Sequence, residues 1–321
     1  MLTFETKVNF GISSCLSRIF GNRSKQHVET LVSRLRQEVS DTQNQCKPST
    51  HKNRITAVNT FERFLNEHGP IALDDLTPDH IKTFERWASD NAMAPGYVSL
   101  QMRALRALFN RINGRGNELF KHVRTANCQT EKKAVSQEVV RQIKELELPD
   151  GSKISRYRYV FLFCFFAMGI PLIDAVMLRK SQLKDGYITY QRQKTKRQVR
   201  IKIGPDLEQL LKRLTPKDSP YLLPILTSTD SIQVRKEYKR FYQRYMRGLK
   251  RISAMIGGDH HLTSYTPRHS WASIAYQKGV NINVIARALG HANANITLIY
   301  IKEISDPQLE NANQIVMQAI Q

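Results

Sequence analysis

Cysteine is scarce and poorly placed for chemistry. The 321 residues hold four, Cys15, Cys46, Cys128 and Cys164, with no CxxC pair and none beside a histidine at zinc-ligand spacing. That argues against a zinc module and a disulfide framework, so no metal and no cofactor is expected, and the chain reads as a disulfide-free protein of the cytoplasm. Cys164 lies in an apolar run and reads as a buried thiol. Long hydrophobic runs are also missing. The longest, Tyr159–Ile173, is too short to span a bilayer. The N-terminus shows no continuous apolar core followed by a cleavage site, so neither a membrane nor a secretion signal is expected. Acidic residues are few: 28 Asp and Glu against 49 Lys and Arg leave a net charge of +21. A compact chain tolerates that self-repulsion best beside a polyanion, which makes nucleic acid the first candidate partner. Ribonucleoprotein-type aromatic motifs are absent, which disfavours RNA. Internal repeats are absent too.

What is present is an ordinary globular composition, 41% hydrophobic and 24% charged, at a length that suits two domains. Residues 1–25 show little periodicity. Residues 26–40 suit a helix with Val28, Leu31, Val32 and Leu35 on one face. The polar stretch 42–50, with Pro48, reads as a linker. A helical block follows. Ile55, Val58, Phe61, Phe64 and Leu65 recur at helical spacing, and Thr77-Pro78 opens a second helix as cap and first residue. A third begins near Ala94-Pro95-Gly96, with Val98, Met102, Leu105, Leu108 and Phe109 on one side. Arg103, Arg106 and Arg111 lie on its other side, as a solvated face or as phosphate contacts.

Residues 125–134 have no apolar period and read as a second linker. Ser136 then caps a helix whose Val139, Val140 and Ile143 face inward. From 136 to 302 there are 29 Lys and Arg against 12 Asp and Glu, so this part carries most of the charge. The run Tyr187–Ile203 alternates like a β-hairpin, with its turn at Gln193–Lys196. Residues 232–256 suit a long basic helix. Lys236, Arg240, Arg244, Arg247 and Arg251 share one face, a candidate for the DNA backbone, and Tyr238, Phe241, Tyr245, Leu249 and Ile252 share another that reads as core.

The segment 263–302 is the most informative. Pro267 suits the first turn of a helix starting near Ser264–Thr266, which puts Arg268 and His269 at a helix N-terminus, where an anion is favoured. Gly279 suits its C-cap. A short helix over 284–289 ends in Leu289-Gly290-His291, and Thr297 and Tyr300 follow. Arg268-His269-Ser270, Leu289-Gly290-His291 and Thr297-Leu298-Ile299-Tyr300 stand in the order and spacing of the tyrosine recombinase, or phage integrase, family, which the chain resembles over nearly its whole length. The segment Pro267–Ser273 is similar to a branch common in Bacteroidetes.

The resemblance implies a mainly α fold with a small β-hairpin or sheet, arranged as a two-domain C-shaped clamp on double-stranded DNA. Residues 1–47 would be a helical or arm-like segment and 48–125 an all-α, SAM-like core-binding domain. Residues 126–135 would be a linker, 136–305 the α+β catalytic domain, and 306–321 a tail helix that docks in cis or on a neighbour in a dimer or tetramer. It also implies site-specific recombination of a mobile element, as integrase or invertase, in a bacterial cytoplasm at the nucleoid. Tyr300 would attack the phosphate and leave a 3′-phosphotyrosyl link. Arg268 would clamp the non-bridging oxygens and His291 would hydrogen-bond the phosphate. Lys194, or Lys196 in a shifted register, would protonate the 5′-oxygen. His269 and Trp271 read as structural.

Two family positions depart. Tyr265 stands where a histidine is usual, and its hydroxyl is a donor but a poor base near neutrality. The family's first arginine is expected at 171 or 168, one helical turn apart, and the chain has Pro171 and Met168. Losing one such donor costs about 10²–10³ in rate, which leaves Arg179 as a replacement from beyond that helix. Asp174 matches the acidic position that follows and reads as a structural contact. The alternative reading is a DNA-binding protein of the same fold that has lost cleavage.

Overall fold

The computed structural model describes residues 31–126, 134–257 and 260–291, together with Thr297, Gln314, Met317 and Gln318. The chain divides into two compact units, Met1–Thr130 and Glu131–Gln321, each with its own core. Described residues of the first unit are helical: α1, described over 31–41, then α2 (Pro48–His68), α3 (Pro78–Asp90), α4 (Pro95–Asn113) and the short α5 (Gly116–Leu119). Each of α2, α3 and α4 opens with proline, whose missing N–H costs nothing in the first turn. Thr77 caps α3 by accepting from the His80 backbone N–H, while the His80 ring accepts from the Thr77 N–H.

Phe61, Phe64, Phe84 and Phe109 fill this core, with Phe61 and Phe84 edge to face at 5.1 Å. Burying each such ring is worth about 1.5–3 kcal/mol. Three expectations shift. The 42–50 linker shrinks to a short 3₁₀ turn, Gln43–Gln45, because α2 already starts at Pro48. The segment ending at 47, expected as a separate arm, gives Leu31, Val32, Leu35 and Val39 to the same core as α2–α4. Ile55 lies off the buried stripe and is 41% exposed. Arg54 lies nearer that stripe, and it donates to Thr42 Oγ1 at 2.7 Å.

In the second unit, Ser136 caps α6 (Gln137–Glu145) through the Val139 N–H. The apolar α7 (Lys153–Phe166) packs against α9 (Pro205–Leu214), α10 (Ser231–Met255) and α11 (Thr266–Gln277). Burial drives the Cys164 thiol on α7 far above its ordinary pKa. On α10, Tyr245, Leu249 and Ile252 are buried, and Tyr245 stacks on Phe241 at 5.5 Å, so this aromatic face is core. The expected hairpin is widened to an antiparallel sheet of order β1-β2-β3: β1 (Leu183–Lys184), β2 (Tyr187–Gln191) and β3 (Gln198–Lys202). Ile188 pairs with Ile201 and Tyr190 with Val199, all four facing the core.

The stretch expected to present residues 168 and 171 from one helical turn is broken. Helix α7 stops at Phe166, Met168 and Gly169 turn through φ of +53° and +66°, and Pro171 caps the short α8 (Leu172–Val176). The final helix of the described core is α12 (Ile282–Ala288).

Candidate active site

Arg268 sits in the first turn of α11, as its sequence context requires, and is 2% exposed. Its guanidinium donates to Gly169 O (2.8 Å) from Nη1 and to Leu289 O (2.7 Å) from Nη2. The chain closes tightly around it: a Cβ on Gly169 would stand 3.0 Å from Arg268 Cα, so only glycine fits that left-handed turn.

His291 follows α12, held by its N–H to Ala286 O, and lies 2.8 Å from Arg268 Nη2 through Nε2. A guanidinium can only donate, so Nε2 accepts and the proton sits on Nδ1. Nδ1 therefore donates to Thr297 Oγ1, at 2.8 Å. The ring is neutral: burial, then the charges of Arg268, Arg192 and Lys194, hold its pKa down to about 3.

Lys194 is exposed in the loop between β2 and β3, close enough to act electrostatically on His291. Lys196, the alternative, turns at φ +58° in the same loop and is not among the charges that depress His291. The loop is tied to the histidine segment: Thr195 Oγ1 donates to Gly290 O (3.1 Å) and Arg197 to His291 O (2.8 Å). Asp174 is buried and structural in its contacts, accepting from Gln193 N–H at 3.0 Å and lying 3.4 Å from Arg192 Nε.

Other expected residues fall elsewhere. Tyr265 is 47% exposed at the N-cap of α11, with its ring 6.0 Å from His269, and its hydroxyl makes no hydrogen bond among the described residues. Arg179 does not reach Arg268; its strand bridge is to Tyr221 and its guanidinium lies 5.9 Å over that ring. Tyr300 and most of the tail lie outside the described residues. Arg192 was passed over in the sequence, although strand alternation carries the inward face of Ile188 and Tyr190 on to it.

Of the candidate DNA contacts, Lys236, Arg240, Arg244 and Arg247 are exposed on α10, and Arg240 and Arg244 border a cavity of about 410 Å³ with Lys153 and Arg156. Arg103 and Arg106 are half-buried on α4, Arg106 donating to Thr125 Oγ1 at 3.2 Å, while Arg111 pairs with Glu38. Among the described residues no cluster of His, Cys, Asp or Glu could hold a metal ion, and no helix is long and apolar enough to cross a membrane.

A buried arginine against a neutral histidine, with an exposed lysine on an adjoining hairpin, is an arrangement that can neutralise charge on an anion and deliver a proton. Residues 133–305 match the phage integrase family, and residues 30–111 match the phage integrase SAM-like domain. The chain belongs to the phage integrase family, the tyrosine recombinases.

A tyrosine recombinase XerC of Natranaerobius thermophilus is 22% identical over 74% of this chain and 83% of its own. A XerD of Oceanobacillus iheyensis is 20% identical over 78% and 86%. A tyrosine recombinase of Pseudothermotoga lettingae is 25% identical, but the match spans only 34% of this chain and 38% of that one. Among solved structures, the Tn1549 transposon integrase in complex with circular intermediate DNA has a TM-score of 0.62 at 13% identity, covering 89% of this chain and 99% of that one. A lambda integrase tetramer bound to a Holliday junction reaches 0.64 at 16%, covering 86% and 79%.

Proposed function

We propose that this protein is a site-specific DNA recombinase, an integrase or invertase, that cuts and rejoins double-stranded DNA through a 3′-phosphotyrosyl intermediate. The observation that carries the reading is the contact of Arg268 with His291, with the Lys194 loop tied to the same segment through Thr195 and Arg197, in a chain of this family. Arg268 holds a non-bridging oxygen of the scissile phosphate. For His291 to donate to the same phosphate, its proton moves from Nδ1 to Nε2, and Thr297, a hydroxyl that can donate as well as accept, turns to support it. Lys194, with Lys196 as the alternative, protonates the leaving 5′-oxygen. Tyr300 is the nucleophile. Tyr265 is a further donor to the phosphate from the exposed start of α11. Rejoining reverses these steps, and the phosphotyrosyl link conserves the bond energy, so no cofactor is needed.

Lys236, Arg240, Arg244 and Arg247, with Arg103 and Arg106, contact the DNA backbone. The protein acts as a dimer or tetramer on DNA at a bacterial nucleoid, as an integrase of a mobile element. The DNA complexes of structurally similar integrases support the part of that reading that concerns DNA. The opposing reading, a binding protein without cleavage, rests on Met168 and Pro171 alone.

The test uses a pool of nicked duplexes of randomised sequence, on which cleavage releases a short 5′-hydroxyl strand and traps the protein covalently. The wild type is expected to form an adduct that maps to Tyr300, and Tyr300→Phe to form none while retaining binding. An adduct that persists in Tyr300→Phe, or maps to Tyr265, overturns the assignment.

A further inference from the structure

Neither position expected for the family's first arginine presents a cation. Met168 is partly buried against the core of the second unit, and Pro171 caps α8. Arg179 is engaged with Tyr221. Yet two arginines among the described residues are buried, Arg268 and Arg192, at 2% and 5% exposure.

Arg192 follows β2 and reaches the same carbonyl that Arg268 reaches. Arg268 Nη2 lies 2.7 Å from Leu289 O and Arg192 Nη1 lies 3.0 Å from it, so the guanidiniums meet across one oxygen. Arg192 Nη1 is also 3.4 Å from Gly290 O, and Nε is 3.4 Å from Asp174 Oδ2. Nη2 makes no hydrogen bond among the described residues. The side chain passes over Gly290, where a Cβ would come within 2.6 Å of Arg192 Cδ; a φ of +64° favours glycine there as well. Among the described residues, the two buried guanidiniums share this pocket with one buried carboxylate, Asp174. Burying such charge is costly unless an anion joins it.

We infer that Arg192 supplies the second guanidinium of the phosphate site, in place of an arginine at 168 or 171. It comes from the hairpin side, and its Nη2 donates to the non-bridging oxygen opposite the one held by Arg268. Asp174 is the positioning residue that orients its fork. The inference rests on the site being one for phosphoryl transfer. In that step the Tyr300 oxygen bonds to phosphorus, the bond from phosphorus to the 5′-oxygen breaks, the phenol proton leaves to water, and the lysine ammonium supplies a proton to the 5′-oxygen. Charge grows on the two non-bridging oxygens, where one arginine alone would neutralise half the site.

The test uses the duplex that the wild type selects from the randomised pool, made with an ordinary phosphate or with a methylphosphonate, which carries one negative charge fewer, at the scissile position. Arg192→Ala is expected to form adduct about 10²–10³ slower on the ordinary phosphate, with binding kept within about tenfold, the limit of that ratio being ~1.4 kcal/mol. On the methylphosphonate most of its deficit relative to wild type should vanish, because the charge it neutralises is gone. A merely structural role would leave the deficit equal on both substrates, and that result overturns the inference, as does cleavage by Arg192→Ala at the wild-type rate. If the alanine variant melts far below the wild type, Arg192→Gln carries the same comparison, since it removes the charge but keeps an amide donor and much of the side-chain volume. A wild type that forms no adduct on any duplex overturns the phosphoryl-transfer reading itself, and Arg192 as a catalytic residue with it.

Discussion

At the residue scale, the site combines cations with one neutral histidine. Arg268 is bound to backbone carbonyls and to His291, so its orientation is fixed by the fold itself. Arg268→Ala is expected to leave duplex binding within about tenfold and to slow adduct formation by about 10²–10³, read on the selected nicked duplex. A loss confined to affinity would make it an ordinary phosphate contact.

His291 gives a second prediction. Its pKa lies below that of a free histidine, near 3, first because it is buried and then because Arg268, Arg192 and Lys194 repel a proton. The folded state thus binds this proton less readily than the unfolded state. The stability it lends is present above about pH 6.5 and is lost as pH falls toward the folded value. In the free protein the His291 ring is expected to show no titration by NMR between about pH 5 and 8. On DNA, the phosphate charge offsets the cations and its pKa should rise. A midpoint near that of an ordinary histidine in the free protein would contradict the neutral, Nδ1-protonated ring.

At the element scale, the link between α7 and α8 decides what can stand beside Arg268. The left-handed turn at Met168–Gly169 brings Gly169 O to the guanidinium and leaves Met168 against the core, while Pro171 is buried at a helix cap. Placing an arginine at either position would therefore not reproduce the family's geometry. Met168→Arg and Pro171→Arg are expected to bring no gain in cleavage and to lower the melting temperature, because each puts a charge where the surroundings are apolar. A clear rise in cleavage by a folded variant would show that the site lacks its second arginine.

The same link marks the limit of what the sequence disclosed. Capping and periodicity were legible: Thr77-Pro78, Ser136, Pro267 and the stripe 98–109 behave as read, since each depends on neighbours within one helical turn. Arg268 and His291, singled out by their motifs, are brought within hydrogen-bond distance of each other. The break after Phe166 was missed although Gly169 and Pro171 are turn signals, because the apolar residues on either side continue a helical pattern. Arg192 was hidden for a different reason. Its neighbours Lys194, Lys196 and Arg197 are exposed cations of the same loop, and what sets it apart is the strand alternation running on from Ile188 and Tyr190 and the buried Asp174, eighteen residues earlier.

At the scale of the whole molecule, charge is the dominant feature, and most of it sits in the part that carries the site. Lys236, Arg240, Arg244 and Arg247 on α10 are exposed, and the opposite side of that helix is buried by Tyr245, Leu249 and Ile252. The helix is thus held by its apolar side, and the basic side is available to a polyanion. Each phosphate neutralised on duplex DNA contributes roughly 0.9 to the slope of log affinity against log salt. Replacing these four residues by glutamine is therefore expected to lower that slope by roughly three to four, measured by fluorescence anisotropy on duplex DNA over a range of salt. Adduct formation at saturating protein should change little, because none of the four touches Arg268 or His291. The half-buried Arg103 and Arg106 have less reach, and Arg106 is already bonded to Thr125, so replacing that pair should lower the slope by less. An unchanged slope in the α10 variant would make its basic side a solvated face and move the search for the DNA track to Lys153 and Arg156, which border the same cavity as Arg240 and Arg244.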